Sequence, residues 1–497
     1  MAEITIDGRN LEVADGLTSL VAAEKAGISI PHFCYHPALA PEGTCRMCVV
    51  DIEGAAKPEP SCSTVIRDGM KIETRSPRVV EARRNVLEFL LADHPIDCPI
   101  CDKAGECRLQ DYYRDYGFFS SDFHEQKKRR SKILKIGERL ILDRERCILC
   151  TRCVRFLRDV TKTGEMGVFE RGDNSEIGVA DGVPVATAYS GNLVDLCPVG
   201  AITDAAFRFR TRTWFLDPKP SICPFCARGC RVDVDVHPGF ARYPETGGIL
   251  RVRPRPDATP AGPWICDVGR YAWIEIESRR ARRIVWNKGA AEAVLSGDKV
   301  FSILGAKIRA LSESGRTDRL TLVLHSGLTN EEWADVKAFR DGFNPRPKIR
   351  LADPPDDGGD DFLRTAERMP NRRGAAEAGC DLQPLDPGEL REDTDILFVF
   401  AGIWGDIGDL ERRLEVWRTI RTKALVSPVL TASDPLFDFV FPCAIPYEKS
   451  GSYIGFDGRR REFTAVRPAP EEAESEGEIL RSLLAACGLG ARTPGGS

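Results

Sequence analysis

The stretch CYHPALAPEGTCRMC, residues 34–48, together with the next cysteine along the chain, decides the fold of the first part of this sequence. The spacing, which we call the Cys34 set, is Cys34-x10-Cys45-x2-Cys48-x13-Cys62. Four thiolates complete tetrahedral sulfur coordination at both irons of a [2Fe-2S] cluster. The small residues Gly43 and Thr44 would let the backbone approach the cluster and donate N–H bonds to it. Zinc also accepts four cysteines, although a ten-residue first gap is unusual for a zinc knuckle.

The residues before this loop predict a hairpin and a helix. Residues 3–6 and 11–13 alternate between apolar and polar side chains on either side of the turn Asp7-Gly8, a pattern typical of a β-hairpin. Residues 18–26 have the composition of a short helix. Hairpin, helix and cysteine loop follow one another in the order of a β-grasp ferredoxin. We therefore expect a β-grasp [2Fe-2S] domain over residues 1–76.

A second group of ligands follows a predicted helix. Ser76 is a suitable N-cap and Pro77 suits the first helical position. The predicted apolar stripe is Val79, Ala82, Val86, Phe89 and Leu90. The spacing after it, the His94 set, is His94-x3-Cys98-x2-Cys101-x5-Cys107. One imidazole and three thiolates predict a [4Fe-4S] domain over residues 77–117, and a Cys3His zinc site fits the same ligands.

A third group has the spacing of bacterial ferredoxins. The Cys147 set is Cys147-x2-Cys150-x2-Cys153 with the distant pair Cys197-Pro198. Three close cysteines and a distant Cys-Pro hold one cubane in that class of protein. The ligand positions of a second cubane are taken by Leu157, Thr187, Ser190 and Leu193. We expect a ferredoxin-like domain with a single [4Fe-4S] cluster over residues 138–210. The basic run before it, residues 127–135, predicts a solvated face or a docking patch.

The last group of ligands precedes a change of sequence character. The Cys223 set is Cys223-x2-Cys226-x3-Cys230 with Cys266, and it predicts a third [4Fe-4S] cluster over residues 216–272, with short strands at 231–236 and 250–252. From residue 290 to 487, amphipathic helices alternate with apolar segments, which predicts an α/β sheet covered by helices. The expected strands are residues 300–304, 320–324, 396–400 and 424–426.

Composition excludes several classes of function. The chain has 497 residues and a formal net charge of -5, so no global basic field attracts nucleic acid. Its mean hydropathy is -0.25 and its apolar runs are shorter than a membrane span requires, so we expect that no part of this chain crosses a membrane by itself. The N-terminal residues do not resemble a secretory signal, which predicts a cytoplasmic protein.

A reducing compartment makes the cysteines informative, because clustered cysteines there are more often metal ligands than disulfides. Fifteen of the 18 cysteines precede residue 267. The remaining three, Cys380, Cys443 and Cys487, have no ligand spacing and are expected to be buried thiols. The sequence has no GxGxxG or P-loop pattern and no nucleophile constellation, so we assign no catalytic residue.

The four motifs in this order resemble the large iron-sulfur subunit, known as the G subunit, of bacterial NADH:quinone oxidoreductase, respiratory complex I. The resemblance favours clusters over zinc and implies one [2Fe-2S] and three [4Fe-4S] clusters. It implies that the Cys34 set lies on the side of the flavin-bearing partner, that the Cys147 set comes next, and that the His94 set passes electrons towards the membrane arm. The Cys223 set resembles an additional cluster, off the main route, that only some family members keep.

The same resemblance implies the partners and the place in the cell. The expected partners are the flavin- and NADH-binding subunits and the quinone-side connecting subunits, in a complex that couples electron transfer to proton translocation. The chain would be peripheral, at the cytoplasmic face of the inner membrane. It would be an enzyme only as a subunit, without a complete active site of its own.

The C-terminal region is similar to a molybdopterin-oxidoreductase fold. The similarity rests on residues 395–402, 448–453 and 457–459. About 230 residues follow Cys266 and no molybdenum ligand can be assigned, so we expect a shortened, non-catalytic scaffold without molybdenum. The alternative function is an iron-sulfur subunit of an NAD-linked hydrogenase or formate dehydrogenase. Three scattered C-terminal cysteines are too few for the active cluster of a hydrogenase.

Overall fold

The computed structural model divides the chain into two compact units, Met1–Leu216 and Asp217–Ser497. It describes residues 1–117, 120–121, 123–237, 239, 248–288, 291–356, 358–380, 382–386, 390, 393–404 and 417–490. The architecture is mixed α and β throughout, as the sequence predicts.

A five-stranded sheet opens the first unit. Its strands are β1 (Ala2–Ile6), β2 (Arg9–Val13), β3 (Val49–Ile52), β4 (Glu59–Pro60) and β5 (Lys71–Glu73), in the spatial order β2-β1-β5-β3-β4. The predicted hairpin is confirmed, since β1 pairs antiparallel with β2. Helix α1 (Ser19–Lys25) begins where the Thr18 side chain accepts a hydrogen bond from the Val21 N–H. Leu20, Ala22 and Ala23 pack from this helix into the core of the sheet.

Helix α2 (Pro77–Asp93) begins as predicted, with Ser76 as its N-cap and Pro77 in the first turn. The predicted apolar stripe is partly wrong. The fully buried positions are Val79, Arg83 and Leu87, whereas Phe89 is 80% exposed. Arg83 takes a buried position on the helix where the pattern predicts apolar side chains. Its guanidinium donates to the Val49 carbonyl, 3.0 Å away, and so joins the helix to the sheet.

The remaining elements of the first unit are short. The helices are α3 (Arg108–Tyr116), α4 (Arg152–Arg155) and α5 (Asn192–Leu196), and α4 continues as a π-helical turn, Phe156–Val160. The strands are β6 (Leu134–Lys135), β7 (Leu140–Leu142), β8 (Met166–Phe169), β9 (Glu176–Val179) and β10 (Ile202–Asp204). β10, β7 and β6 form an antiparallel sheet, and β8 pairs with β9.

The second unit begins with an antiparallel sheet of β11 (Asp217–Ile222), β12 (Arg231–Val236) and β13 (Ile249–Pro254), followed by helix α6 (Asp267–Ser278). The two strands predicted here are confirmed. The cysteines of the Cys223 set lie in the turn between β11 and β12 and at the start of α6.

An eight-stranded sheet forms the centre of the second unit. Its strands, in the spatial order β15-β14-β21-β20-β19-β16-β17-β18, are β14 (Val285–Lys288), β15 (Ala291–Val294), β16 (Leu320–Leu324), β17 (Lys348–Leu351), β18 (Gln383–Pro384), β19 (Ile396–Phe400), β20 (Thr422–Ser427) and β21 (Phe439–Pro442). The strands from β21 to β18 in this spatial order run parallel to one another. The hairpin β14-β15 pairs antiparallel with β21 and forms one edge of the sheet.

Both faces of this sheet are covered, which explains its continuous apolar strands. In β19, Ile396, Phe398 and Phe400 face one core, while Leu397 and Val399 face the other. The covering helices are α7 (Gly297–Glu313), α8 (Asn330–Asp341), α9 (Arg372–Glu377) and α10 (Glu476–Ala486). The last hairpin is β22 (Gly451–Ile454) with β23 (Arg460–Phe463).

Three of the four strands predicted in this region are confirmed, and one is wrong. Residues 300–304 lie inside α7, where Val300, Phe301 and Leu304 point into the core at the spacing of a helix face. A short apolar run fits either period, and the packing of α7 against the sheet decides for a helix. The cysteines at 380, 443 and 487 are buried in the same core.

Helices long and apolar enough to span a membrane are not found among the residues that the structure describes.

Gly305 sets the separation of α7 from α10. A Cβ at this position would lie 2.7 Å from the Ala486 Cβ and 2.8 Å from the Ala486 carbonyl oxygen. Helix propensity alone favours alanine by about 1 kcal/mol. We expect Gly305→Ala instead to destabilise the chain by about 1 to 2 kcal/mol, because overpacking outweighs propensity.

Urea unfolding followed by tryptophan fluorescence measures this change. Ser302→Ala, at an exposed position of the same helix, is the matched control and should shift the midpoint little. A Gly305→Ala protein as stable as this control would show that the two helices can separate freely.

Candidate metal centres

The Cys34 set is brought together by the β-grasp sheet. Cys34 follows α1, Cys45 and Cys48 precede β3, and Cys62 follows β4. The Cys34 N–H lies 3.4 Å from the Cys45 Sγ, which accepts its hydrogen bond. Gly43 has a φ of 70°, a left-handed conformation that glycine adopts without strain, and it turns the loop ahead of Cys45.

Thiol contacts within the Cys34 set shift their pKa values in opposite directions. Hydrogen bonds from Cys45 and Cys62 lower the pKa of Cys34, and a hydrogen bond from Cys62 lowers that of Cys48 to about 7. The pKa values of Cys45 and Cys62 are raised by the same contacts. The side chains therefore lie close enough to share protons, and four thiolates at once need positive charge between them.

The His94 set lines one cavity of about 150 Å³. His94 is the C-cap residue of α2, Cys98 and Cys101 flank a 3-10 turn, and Cys107 is the N-cap residue of α3. Leu109 and Tyr113 of α3 line the apolar wall of the same cavity. The set is thus held between the end of one helix and the start of the next.

The His94 ring is suited to bind metal through Nδ1. This atom is buried and has no hydrogen-bond partner among the described residues. Burial lowers the pKa of His94 to about 4, so the ring is neutral at physiological pH, which is the form that binds metal. This orphaned atom among three cysteines fits a cluster ligand.

The Cys147 set lines a single enclosed cavity with Leu142, Ile177 and Ile202. Leu149 and Thr151 have φ values of 52° and 58°, and these left-handed residues wind the loop around the cavity. The backbone N–H groups of Leu149 and Arg152 hydrogen-bond to Cys147 and Cys150. Successive inward N–H groups form a concavity that favours negative charge.

The Cys223 set joins the β11-β12 turn to α6. The Cys223 N–H donates to the Cys230 carbonyl at 2.9 Å, and the Cys266 Sγ accepts from the Gly269 N–H at 3.4 Å. A Cβ on Gly269 would lie 3.0 Å from the Cys223 Sγ and 3.8 Å from the Cys266 Sγ. Glycine therefore lets two ligands that are distant in sequence meet over the first turn of α6.

Burial makes the His94, Cys147 and Cys223 sets poor sites for bare thiolates. It raises the pKa of Cys147 to about 12 and those of Cys107, Cys150 and Cys266 to about 11. Burial also raises the pKa values of Cys153, Cys223 and Cys230 well above the ordinary value. A metal cluster supplies the positive charge that ionisation of these thiols requires.

The structure thus brings each predicted ligand set together. Within the described residues, three or more His, Cys, Asp or Glu side chains do not converge in the way that one metal ion requires. The donors of each set, four cysteines or three cysteines and one histidine, fit iron-sulfur clusters, in which thiolates bind separate irons.

Gly200 is a residue of the site that spacing alone did not reveal. It follows Cys197 by three residues, yet a Cβ there would overlap the Sγ of Cys101 in the His94 set. The Arg108 N–H also donates to the Pro198 carbonyl at 3.2 Å. The Cys147 and His94 sets are therefore neighbours. The signal in the sequence is a glycine two residues after Pro198, in the run Cys197-Pro198-Val199-Gly200, but its partner comes from the tertiary fold.

Within the basic run at 127–135, which the sequence predicts to be a solvated face or a docking patch, two lysines contact other residues of the first unit. Lys127 donates to the carbonyls of Leu91, at 2.5 Å, and His94, at 2.7 Å. Lys132 pairs with Glu145 at 2.9 Å and with Asp97 at 3.3 Å. These lysines support the backbone around the His94 set.

Four family models match consecutive parts of the chain. Residues 1–77 match the 2Fe-2S iron-sulfur cluster binding domain, and residues 83–121 match the NADH-ubiquinone oxidoreductase-G iron-sulfur binding region. Residues 137–203 match the ferredoxin-like domain of NADH-quinone oxidoreductase subunit 3, and residues 218–278 match the molybdopterin oxidoreductase Fe4S4 domain. The family models indicate 2Fe-2S and 4Fe-4S clusters.

Curated proteins of known name are similar to this chain in sequence. The G subunit of NADH-quinone oxidoreductase from Streptomyces coelicolor is 35% identical over 363 residues, which cover 72% of this chain and 42% of that protein. The corresponding protein of Rickettsia bellii is 38% identical over 311 residues, covering 63% and 44%. The chain spans less than half the length of these relatives. A solved chain of an NAD+-reducing [NiFe]-hydrogenase is 32% identical, with a TM-score of 0.39, over 42% of this chain and 90% of that chain.

Gly200 provides a test of how tightly the His94 set is packed. Because a Cβ would overlap the Cys101 Sγ, we expect Gly200→Ala to displace this ligand and to reduce iron bound after anaerobic reconstitution by about one cubane, or roughly four irons. Iron and sulfide analysis measures the loss. Gly167→Ala is the control, because its Cβ would make only ordinary contacts at 3.7 Å with the Phe169 ring. Equal iron content in the two variants would contradict the close packing.

Proposed function

The chain is a homologue of the G subunit of NADH-quinone oxidoreductase, and on that premise we propose that it is an electron relay of such a complex. It takes electrons from a flavin-bearing partner and passes them through iron-sulfur clusters towards quinone, in an assembly that translocates protons. The observation that supports this proposal most strongly is the clustering of sixteen ligand side chains into four sets, each within a different matched domain.

The proposed ligands are those of the sequence analysis. The [2Fe-2S] cluster binds Cys34, Cys45, Cys48 and Cys62. The three [4Fe-4S] clusters bind His94, Cys98, Cys101 and Cys107; Cys147, Cys150, Cys153 and Cys197; and Cys223, Cys226, Cys230 and Cys266. Burial around each set and the orphaned Nδ1 of His94 support these assignments. The clusters supply one-electron redox chemistry, and the protein holds them, excludes water and sets their potentials.

The proposed domains follow the sequence boundaries, 1–76, 77–117, 138–210, 216–272 and 290–487. In this proposal the partners are the flavin- and NADH-binding subunits on one side and the quinone-side connecting subunits on the other. The chain lies peripherally at the cytoplasmic face of the inner membrane. The region from 290 to 487 is a non-catalytic scaffold without molybdenum.

The Cys223 set has the role of a side cluster in this proposal. Three ligand sets belong to the first compact unit, and this set belongs to the second. The family resemblance supports this role, because the Cys223 set resembles an additional cluster, off the main route, that only some family members keep.

Iron content tests the proposed cofactors. We expect reconstituted chain to bind about fourteen irons with equal sulfide, because one two-iron and three four-iron clusters sum to that number. Anaerobic iron, sulfide and zinc analysis with visible absorption makes the measurement. About two irons with stoichiometric zinc would exclude this set of cofactors.

Ligand loss separates the main route from the side cluster. Cys150→Ala removes a relay cluster, so NADH:quinone turnover in the assembled complex should fall at least about a hundredfold, since tunnelling slows exponentially over a longer gap. The Cys226→Ala complex should retain most of its turnover, because electrons do not pass through the side cluster. Rates are normalised to the amount of intact complex, because the side cluster also stabilises its domain. An equal normalised loss in the two variants would place all four clusters in series.

A further inference from the structure

Two buried arginines of α4 join the ligand loops of two different sets. Arg155 is 2% exposed, and its Nη2 donates both to the carbonyl of Cys34 and, at 3.4 Å, to the carbonyl of Cys150. Its Nη1 donates to the Ala40 carbonyl at 2.6 Å. One guanidinium thus binds a ligand residue of the Cys34 set and a ligand residue of the Cys147 set.

Arg152 repeats this arrangement one turn earlier. It is 3% exposed, and it donates to the carbonyl of Tyr35, next to Cys34, and at 3.3 Å to the carbonyl of Leu196, next to Cys197. Its charge lies near enough to interact electrostatically with Cys34, Cys150 and Cys197. The ligand loops of the Cys34 set and of the Cys147 set are therefore both bound by the same pair of arginine side chains.

The chemistry of arginine explains why this residue type stands here. The planar guanidinium has five donors and can bind carbonyls on two loops at once, whereas a lysine ammonium binds from a single point. A buried cation is costly unless negative charge is near. Glu42, 3.3 Å from the Arg155 Nε, balances part of the charge of that residue. Clusters with four thiolates would supply further negative charge on both sides of the pair.

We propose that Arg152 and Arg155 are positioning residues that fix the Cys34 and Cys147 ligand loops against each other and raise the reduction potentials of both clusters together. This inference rests on the proposed function, because it requires clusters in both sets. It goes beyond the proposed function by naming the residues that couple two sites. A positive charge near a cluster favours its reduced form, since reduction adds negative charge.

The test is a redox titration of the full-length, reconstituted chain, followed by EPR, with the two signals assigned by Cys48→Ala and Cys150→Ala. In Arg152→Met, the ratio of reduced to oxidised cluster at a fixed potential should fall about tenfold at both sites, a shift of about 59 mV for a one-electron couple. Arg152→Lys keeps the charge and should recover most of this shift.

Arg158→Met is the matched control. Arg158 follows Arg155 on the next turn, is 61% exposed, and pairs with the adjacent Asp159 at 2.7 Å. The Arg158→Met substitution removes the same charge from the same segment. It should leave both reduction potentials unchanged, because solvent screens an exposed charge. A shift as large as that of Arg152→Met would overturn the proposal, as would a shift at only one cluster or a lysine variant that behaves like the methionine variant.

Iron uptake provides a second readout. If Arg152→Met fails to hold clusters, loss from both sites supports the bridging role, and loss from one site overturns it. Absence of both EPR signals in the unaltered chain would instead refute the proposed function. Both signals present and unmoved in Arg152→Met would refute this inference alone.

Discussion

The cost of burying negative charge governs how this protein is built. Thiolates must be shielded from water to hold a cluster, yet the same shielding opposes their ionisation, as the raised pKa values of Cys147 and Cys266 illustrate. Positive charge must therefore arrive with the metal, so folding and cluster assembly are coupled. Left-handed residues at 149 and 151 wind the loop so that the N–H groups of Leu149 and Arg152 hydrogen-bond to the thiols of Cys147 and Cys150.

The sequence could predict the ligand sets because most ligand spacings are local. Apart from Cys197 and Cys266, successive ligands within a set lie three to fourteen residues apart, and capping residues such as Ser76 mark helix starts without any tertiary information. Alternating or continuous apolar runs likewise identified β1, β16 and β19.

Other features depend on contacts that spacing does not encode. Phe89 belongs to the apolar stripe of α2 by pattern, but Arg83 takes the buried position because the Val49 carbonyl lies opposite it. Residues 300–304 satisfy strand and helix patterns equally, and packing of α7 on the sheet decides between them. Gly200 and Arg155 acquire their roles from residues about a hundred positions away, Cys101 and Cys34. In an arginine-rich chain, nothing local distinguishes a bridging arginine from an exposed one such as Arg158.

The residues that resemble molybdopterin oxidoreductases are engaged in packing. Lys449 is buried, and its ammonium donates to Glu332 at 2.7 and 2.8 Å and to Glu476 at 2.6 Å, so its three donors are satisfied. The N–H and Oγ of Ser452 both donate to Glu331 at 2.8 Å.

These contacts join β22 and the residues just before it to the first turns of α8 and α10. Breaking a buried ion pair by removing one partner costs about 3 to 5 kcal/mol, so Lys449 is constrained by stability alone. The presence of this lysine therefore needs no catalytic explanation, and it agrees with the proposal that the α/β region is a scaffold. In this proposal, the residues that carry the function are those of the ligand loops and the arginines between them.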